Sequence, residues 1–277
     1  MNEILKYNLK GVSLELELRD DAFKPTSTSK ILASNVFMSE MWLKPHPSEC
    51  RISEHPEVLN KPHLSRCGEL KDFLIPKDSI FIDMGCGAGY IGILAAKLGA
   101  RKVYAVDLSK EACELARKNA IRNHVEYIVE VRQGNLFEPL EGIIADVIVD
   151  DVSGIAGLIA RNTEWYRNEN IPIASEDGSY PTTEMLQQAQ SHLTEKGKLY
   201  FPVLSLANEK KIIETAESLF KYTEVLETIK FPIKGELKKS EDYLMKLFNE
   251  KRIRLVPGGS KLCWELKIYE ASNYGEE

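Results

Sequence analysis

The chain has 277 residues, enough for one large α/β domain with an appendage or for two small domains. Its hydrophobic fraction of 43% can fill a core, and its formal net charge of −6 argues against a non-specific nucleic-acid binder, which usually carries a basic stripe. Five scattered cysteines without a C-x-x-C pair, and an N-terminus without a signal-peptide pattern, predict free thiols and a cytoplasmic location. No apolar run approaches the roughly 20 residues of a membrane span.

Residues 1–61 are interpreted as an N-terminal extension. Leu14, Leu16 and Leu18 alternate with polar residues, which predicts a half-buried strand over residues 9–18. A polar segment and a helix over residues 30–38 follow, and residues 42–62 are irregular and rich in proline. Three histidines in and near this stretch match no zinc spacing, so no metal site is predicted: His46, His55 and His63.

From Ser79 onward the pattern alternates between strand and helix, which predicts a parallel, doubly wound sheet. The predicted strands cover residues 79–83, 102–106, 127–132, 145–149, 198–204, 222–231 and 262–270. The predicted helices cover residues 63–74, 89–98, 109–123, 182–193, 208–220 and 240–248. The second domain is therefore assigned to residues 62–277, with inserts at 155–181 and 234–260.

A glycine-rich stretch interrupts the pattern directly after the first strand of this core. Gly87, Gly89 and Gly92 fit the dinucleotide pattern G-x-G-x-x-G. With Asp83 in front, Gly85, Gly87 and Gly89 also fit D-x-G-x-G-x-G, and here the stretch closely resembles the motif of class I S-adenosylmethionine (SAM) methyltransferases. Glycine lets such a loop adopt positive φ and approach a ligand closely.

Asp83 favours the second interpretation. A carboxylate about 4 Å from a pyrophosphate would cost roughly 4 kcal/mol at an effective dielectric constant near 20. The ammonium group of SAM instead interacts favourably with a carboxylate. The expected cofactor is therefore SAM, with S-adenosylhomocysteine as its product.

The resemblance implies a set of cofactor-binding residues. In the first loop these are Asp83, Gly85, Cys86, Gly87 and Gly89. Asp107, at the tip of the second strand, is expected to accept both ribose hydroxyls, unless it only caps a helix; Ser109 is better placed to cap. Asn135 stands where the family usually has an aspartate that touches the adenine amino group, and its side-chain carbonyl still accepts that N–H. Leu108 and Leu136 are candidates to sandwich the adenine, the alternative being core positions.

The segment Phe23-Lys24-Pro25-Thr26 resembles a Phe-x-Pro-Thr stretch that precedes the core in several methyltransferases and lines the cofactor mouth. The alternative is an ordinary loop that supplies an N-cap for the next helix.

The loop after the fourth core strand is the catalytic position of this fold. Amine methylases of nucleic acids and glutamine methylases of release factors carry Asn-Pro-Pro-Tyr there, whereas this chain has Asp150 and Asp151. The replacement argues against base N-methylation and glutamine methylation. Two carboxylates suit a cationic substrate, and both are predicted as catalytic residues, with Asp150 also in the cofactor set. In the alternative, one acid caps the next helix and the other is solvated.

Blocks around these motifs, residues 95–103 and 135–140, resemble the family that contains ribosomal-protein L11 and release-factor methyltransferases. The first block is also similar to protein arginine methyltransferases. The insert at 155–181 supplies further candidates for substrate binding, the alternative being a local hydrophobic patch: Glu164, Trp165, Tyr166, Glu176 and Asp177.

The sequence therefore predicts a Rossmann-like α/β fold with a seven-stranded, mostly parallel sheet, an antiparallel last strand and an N-terminal extension. The predicted activity is methyl transfer from SAM to a nitrogen, an amine or guanidine, of a small molecule or protein side chain. Two alternatives stay open: another SAM reaction, such as internal displacement that releases methylthioadenosine, and a SAM-binding partner without catalysis. The oligomeric state is not fixed by the sequence.

Overall fold

The computed structural model describes residues 3–9, 11–20, 24–37, 76, 78–152, 154–163 and 175–274. The strands are β1 Glu3–Leu9, β2 Val12–Leu18, β3 Ile80–Met84, β4 Lys102–Asp107, β5 Val129–Gln133, β6 Ala145–Asp150, β7 Leu193–Leu204, β8 Tyr222–Pro232, β9 Val256–Gly258 and β10 Lys261–Ser272. The α-helices are α1 Ser27–Phe37, α2 Tyr90–Lys97, α3 Lys110–Arg122, α4 Gly157–Ala160, α5 Thr182–Ala189, α6 Glu209–Leu219, α7 Gly235–Lys239 and α8 Glu241–Asn249.

The central sheet has the strand order β5-β4-β3-β6-β7-β10-β8, with the short β9 paired to β10. Neighbouring strands from β5 to β7 run parallel, whereas β10 runs antiparallel to both β7 and β8. The predicted fold, a mostly parallel sheet with an antiparallel last strand, is confirmed. The order reverses between β3 and β6, which is where an open α/β sheet places its ligand crevice.

Helices cover both faces of the sheet, because successive residues of each strand point to opposite sides. Phe81, Val147 and Val149 belong to the cluster that packs against α1, α2, α3 and α8. Ile82 and Ile148 belong to the second cluster, which packs against α5 and α6. This alternation decides which helical layer each acid at the strand ends meets.

The N-terminal segment forms a hairpin, where the sequence analysis predicted a single strand over residues 9–18. β1 pairs antiparallel with β2 in register, and Gly11 makes the turn at φ +81°. The prediction missed β1 and placed the turn inside its strand, because charged residues interrupt the weak alternation of residues 3–9. The expected burial of Leu14, Leu16 and Leu18 is confirmed, at 2% exposure or less.

Two asparagines, Asn119 of α3 and Asn123 at its C-terminal cap, hold the hairpin onto the core. The amide of Asn123 donates to Glu15 O at 2.7 Å and its carbonyl accepts Glu15 N at 3.0 Å. Asn119, one helical turn earlier, makes the same pair of bonds with Glu17 at 3.0 and 2.7 Å. The two side chains therefore pair the backbone groups of Glu15 and Glu17 at the open edge of β2, as a neighbouring strand would.

The boundary predicted between residues 61 and 62 lies outside the described residues, so the two-domain division stays a prediction. The hairpin and α1 contribute to the same hydrophobic cluster as β3 and α2. The second insert contains the predicted helix, found as α8, together with α7 and the unpredicted β9. Ser240 Oγ donates to Asn162 O at 2.5 Å, which joins this insert to the first.

We expect Asn123→Ala to lower the free energy of unfolding by about 1–3 kcal/mol, because both backbone groups of Glu15 lose their partner at a part-buried site and Asn119 O loses a donor. Asn162→Ala is the matched control, since that exposed amide bonds only Leu158 O within its own turn, and its effect should stay within about 0.5 kcal/mol. Urea unfolding measures both. Equal losses would show that Asn123 does not anchor the hairpin.

Candidate functional site

A cleft opens where β3 ends and α2 begins, at the C-terminal edge of the parallel strands. Residues from three parts of the chain line the cleft: the segment that leads into α1 with its first turn, the stretch from the end of β3 into α2, and the residue after β6. They are Lys24, Pro25, Ser29, Asp83, Gly85, Cys86, Gly87, Ala88, Tyr90, Ile91 and Asp151.

The glycines bring the backbone to the cleft. Gly85, Gly87 and Gly89 have φ values of +76°, +50° and +84°, a region that costs other residues strain. A Cβ on Gly85 would overlap the side chain of Val152. A Cβ on Gly92 would lie 2.9 Å from Asp83 Oδ2, so this glycine lets the first turn of α2 approach the acid.

Asp83 is fully buried at the floor of the cleft. Its Oδ2 accepts the N–H of Gly92 at 2.8 Å, while Oδ1 has no hydrogen-bond partner among the described residues. Burial raises the pKa of Asp83 to about 7. The hydrogen bond from Gly92 N lowers this pKa, and the negative charges of Asp151 and Asp107 raise it further. A buried carboxylate with a free oxygen is a site for a cationic or hydrogen-bonding ligand.

Asp107 ends β4 on the same face of the sheet. Its Oδ2 accepts Gly87 N at 2.9 Å and its Oδ1 accepts Ser109 N at 2.9 Å, so it ties the glycine loop to the start of α3. Burial raises its pKa. Ser109 Oγ accepts Ala112 N at 3.1 Å, which confirms that Ser109 caps α3.

The structure separates the two candidate catalytic acids. Asp150, the last residue of β6, points to the α5–α6 side; it is fully buried, and Oδ1 accepts Val152 N at 3.0 Å. Burial is the main cause that raises its pKa to about 8. Asp151 points the other way and lines the cleft with Asp83. Burial raises the pKa of Asp151 to about 7, partly offset by a hydrogen bond from Ser29.

The lining of this cleft does not include six of the candidates for cofactor binding: Gly89, Asp107, Leu108, Asn135, Leu136 and Asp150. Leu108 is 51% exposed, and Asn135 is exposed in the loop after β5. Leu136 packs into the α5–α6 cluster with φ +48°. An adenine site at these positions stays a prediction.

Of the substrate candidates, Glu164, Trp165 and Tyr166 lie outside the described residues. Asp177 organises its own loop: its Oδ1 accepts Ser175 Oγ at 2.6 Å and Ser179 Oγ at 2.8 Å. Burial alone would raise the pKa of Asp177, but these bonds outweigh it and hold the pKa below its usual range. Glu176 pairs with Arg161 at 2.7 Å on the surface. Neither acid lines the cleft, and their substrate role stays a prediction.

Besides Lys24 and Pro25 of the Phe23–Thr26 segment, four residues that line the cleft were not among the predicted site residues: Ser29, Ala88, Tyr90 and Ile91. The Pro25-Thr26 pattern was the available signal for Ser29, because the resemblance implied that this segment lies at the cofactor mouth. The cap is confirmed, since Thr26 Oγ1 accepts Ser29 N at 3.2 Å at the start of α1. Pro25 lines the cleft, and contact of this segment with a cofactor stays a prediction.

The part of the chain that the structure describes contains no cluster of three or more potential metal ligands, and none of its helices has the length and apolarity to span a membrane. The three histidines considered for a metal lie outside it.

Residues 65–169 match the family model described as ribosomal protein L11 methyltransferase. The ribosomal protein L11 methyltransferase of Alkaliphilus metalliredigens is 38% identical over 108 residues, which cover 39% of this chain and 34% of that protein. The homologue from a Thermoanaerobacter species is 30% identical over 143 residues, 52% of this chain and 44% of that one. The chain thus matches less than half the length of these relatives.

Solved structures agree at the level of the fold. The T. thermophilus 16S rRNA N2 G1207 methyltransferase, in complex with AdoMet and guanosine, has a TM-score of 0.55 at 12% identity and covers 99% of this chain, with 51% of its own chain matched. A putative methyltransferase complexed with SAH has a TM-score of 0.53 at 13% identity, with 97% and 56% covered. The predicted resemblance to class I SAM-dependent methyltransferases and their fold is confirmed.

We expect Gly85→Ala to destabilise the protein more than Gly99→Ala. Both positions have positive φ, but a Cβ at Gly99 meets nothing within 4 Å, so that variant carries only backbone strain of about 1–2 kcal/mol. At Gly85 the overlap with Val152 should add about 1–3 kcal/mol. Val152→Ala in the Gly85→Ala background should recover part of the loss in urea unfolding. Equal losses of unfolding free energy in Gly85→Ala and Gly99→Ala would mean that a Cβ at position 85 does not press on Val152.

Proposed function

We propose that this chain is a SAM-dependent methyltransferase that transfers a methyl group to a nitrogen of a protein side chain or small molecule. The observation that carries the proposal is the cleft between β3 and α2, where Asp83 and Asp151 face a glycine loop. The enzyme class and the cofactor agree with the matched family and with the ligands of the two structural neighbours.

The residues of the cleft fit the cofactor. The free Oδ1 of Asp83 suits the ammonium group, and the glycine loop admits the methionine portion at close range. Asp107 uses one lone pair of each oxygen for Gly87 and Ser109, and the remaining lone pairs can accept ribose hydroxyls. We assign the adenine to the region of exposed Leu108 and Asn135 and buried Leu136, as the family resemblance implies.

Asp151 is the acid that we assign to the acceptor nitrogen. It lies in the cleft, whereas Asp150 is buried on the opposite side of the sheet. SAM, when bound, supplies an electrophilic methyl group on a sulfonium. An amine attacks only in its neutral form, so a carboxylate with a pKa of about 7 can take its proton near neutral pH and orient its lone pair.

The acceptor class follows from the charge of this cleft. An acidic pocket favours a protonated amine or a guanidinium over an amide, and charge-assisted hydrogen bonds orient such a group. The matched relatives are named for ribosomal protein L11, so a protein amine is our first candidate acceptor. A protein acceptor and the scattered free cysteines agree with a cytoplasmic location, which is part of this proposal.

Calorimetry with SAM, S-adenosylhomocysteine and NAD is the first test. We expect the first two to bind and NAD not to bind, because Asp83 would repel a pyrophosphate. Asp107→Ala should weaken SAM binding by about 1–3 kcal/mol, the typical loss for a charged hydrogen-bond partner. Tight NAD binding without SAM binding would overturn the cofactor assignment.

Conservative variants of the two acids test the catalytic assignment. With methyl-labelled SAM and either bacterial ribosomal protein L11 or a panel of small amines, Asp151→Asn should lower turnover by about 10²-fold, since a positioned acid–base group is lost. Asp150→Asn is the matched control and should stay within a few-fold, because the neutral amide replaces a carboxyl that is protonated at pH 7.

Chromatography of the products separates the alternatives. S-adenosylhomocysteine with a labelled acceptor supports methyl transfer, whereas methylthioadenosine indicates internal displacement of the sulfonium. If Asp150→Asn and Asp151→Asn both turn over at the rate of the parent protein, Asp151 has no role in the chemistry.

A further inference from the structure

A buried serine of the N-terminal segment reaches into the cleft. Ser29, in the first turn of α1, is 2% exposed and lines the cleft together with Asp151. The interaction of its hydroxyl with that carboxyl group lowers the pKa of Asp151. We propose that Ser29 is a positioning residue for methyl transfer: its hydroxyl holds one oxygen of Asp151, so that the other faces the acceptor nitrogen. This inference rests on the proposed function of Asp151.

The start of α1 fixes the direction of the hydroxyl. Ser29 Oγ accepts Thr26 N at 3.1 Å, while Ser29 N donates to Thr26 Oγ1 at 3.2 Å, a reciprocal cap at the first turn. Thr26 N occupies one of the two lone pairs of Ser29 Oγ, and Thr26 Oγ1 can donate to the other, so that Ser29 can give its single proton to Asp151. The second hydroxyl, Thr26 Oγ1, lies 3.2 Å from Ser29 Oγ and can donate to it, which strengthens the chain of bonds.

Ser29 also affects the charge of Asp151. A hydrogen bond to the ionised form favours that form, whereas burial favours the neutral acid. The serine thus keeps more of the carboxylate in the charged state that an amine needs near neutral pH. The other titratable groups that face Asp151 across the cleft, or share its strand end, are Lys24, Asp83, Cys86, Tyr90 and Asp150.

The chain offers a matched control on the same helix. Ser34 Oγ donates to Lys30 O at 2.9 Å within α1, and Ser34 does not line the cleft. Ser34→Ala therefore removes a serine hydroxyl from α1 without removing a contact to Asp151. Ser29→Thr retains the hydroxyl at the cleft and serves as the conservative variant.

The experiment is a carboxyl-carbon NMR titration of the ligand-free protein, labelled at aspartate, with Asp151→Asn to assign the signal. Ser29→Ala should raise the midpoint of Asp151 by about one pH unit, the equivalent of one hydrogen bond to a charged group. Ser29→Thr and Ser34→Ala should leave the midpoint within a few tenths of a unit. An unchanged midpoint in Ser29→Ala would overturn the proposal.

Kinetics supply the second readout. At pH 7, Ser29→Ala should lower kcat about tenfold and move the acidic limb of the pH–rate profile upward, while Ser29→Thr keeps the parent profile. A shifted midpoint with unchanged kcat would also overturn the proposal, since Ser29 would then tune Asp151 without serving transfer. If the parent protein neither binds SAM nor transfers a methyl group, the proposed function fails, but the titration still measures the contact between Ser29 and Asp151.

Discussion

The cleft depends on carboxylates that the fold buries at one edge of the sheet. Desolvation raises the pKa of Asp83 and of Asp151 from an ordinary value of 3.8 to about 7. A carboxyl group with a raised pKa favours the folded state most below its unfolded pKa, and this contribution is lost as the pH rises through about 7. The ligand-free protein therefore gives up stability at neutral pH to keep these acids in place. A bound cation returns that stability, which is the arrangement expected of a binding site for a sulfonium and an ammonium group.

Two polar anchors connect the N-terminal segment to this edge. Asn119, whose amide bonds Glu17 O, also donates to Ala88 O of the glycine loop at 2.9 Å. Ser29 of α1 lines the cleft together with Asp151. The N-terminal segment thus meets the glycine loop through Asn119 and the cleft through α1, although the family match begins at residue 65.

The regular part of the fold could be predicted from the sequence. Strand–helix alternation predicted β3 to β10 except β9. The positions of Asp83 and Asp107 at strand ends predicted that both lie at one edge of the sheet, because parallel strands gather their C-terminal ends there. The face of each acid in the Asp150–Asp151 pair could not be assigned, since it depends on where β6 ends, and a shift of one residue exchanges the faces. Ser29 lacked a positional signal of its own, because it lies 122 positions from Asp151 in the sequence and only tertiary packing brings them together. The Asn119–Asn123 pair did carry a signal, two amides one turn apart on the buried face of α3.

If the acids of the cleft are largely neutral until a cation binds, SAM binding must release protons. Calorimetry of SAM binding at pH 6.5, in two buffers of different ionisation enthalpy, measures this release. We expect binding to release close to one proton, about the amount set by a pKa near 7, and Asp83→Asn to release less. The same binding enthalpy in both buffers would show that the acids carry the same charge with and without SAM, and the role of their neutral form in binding would then be wrong.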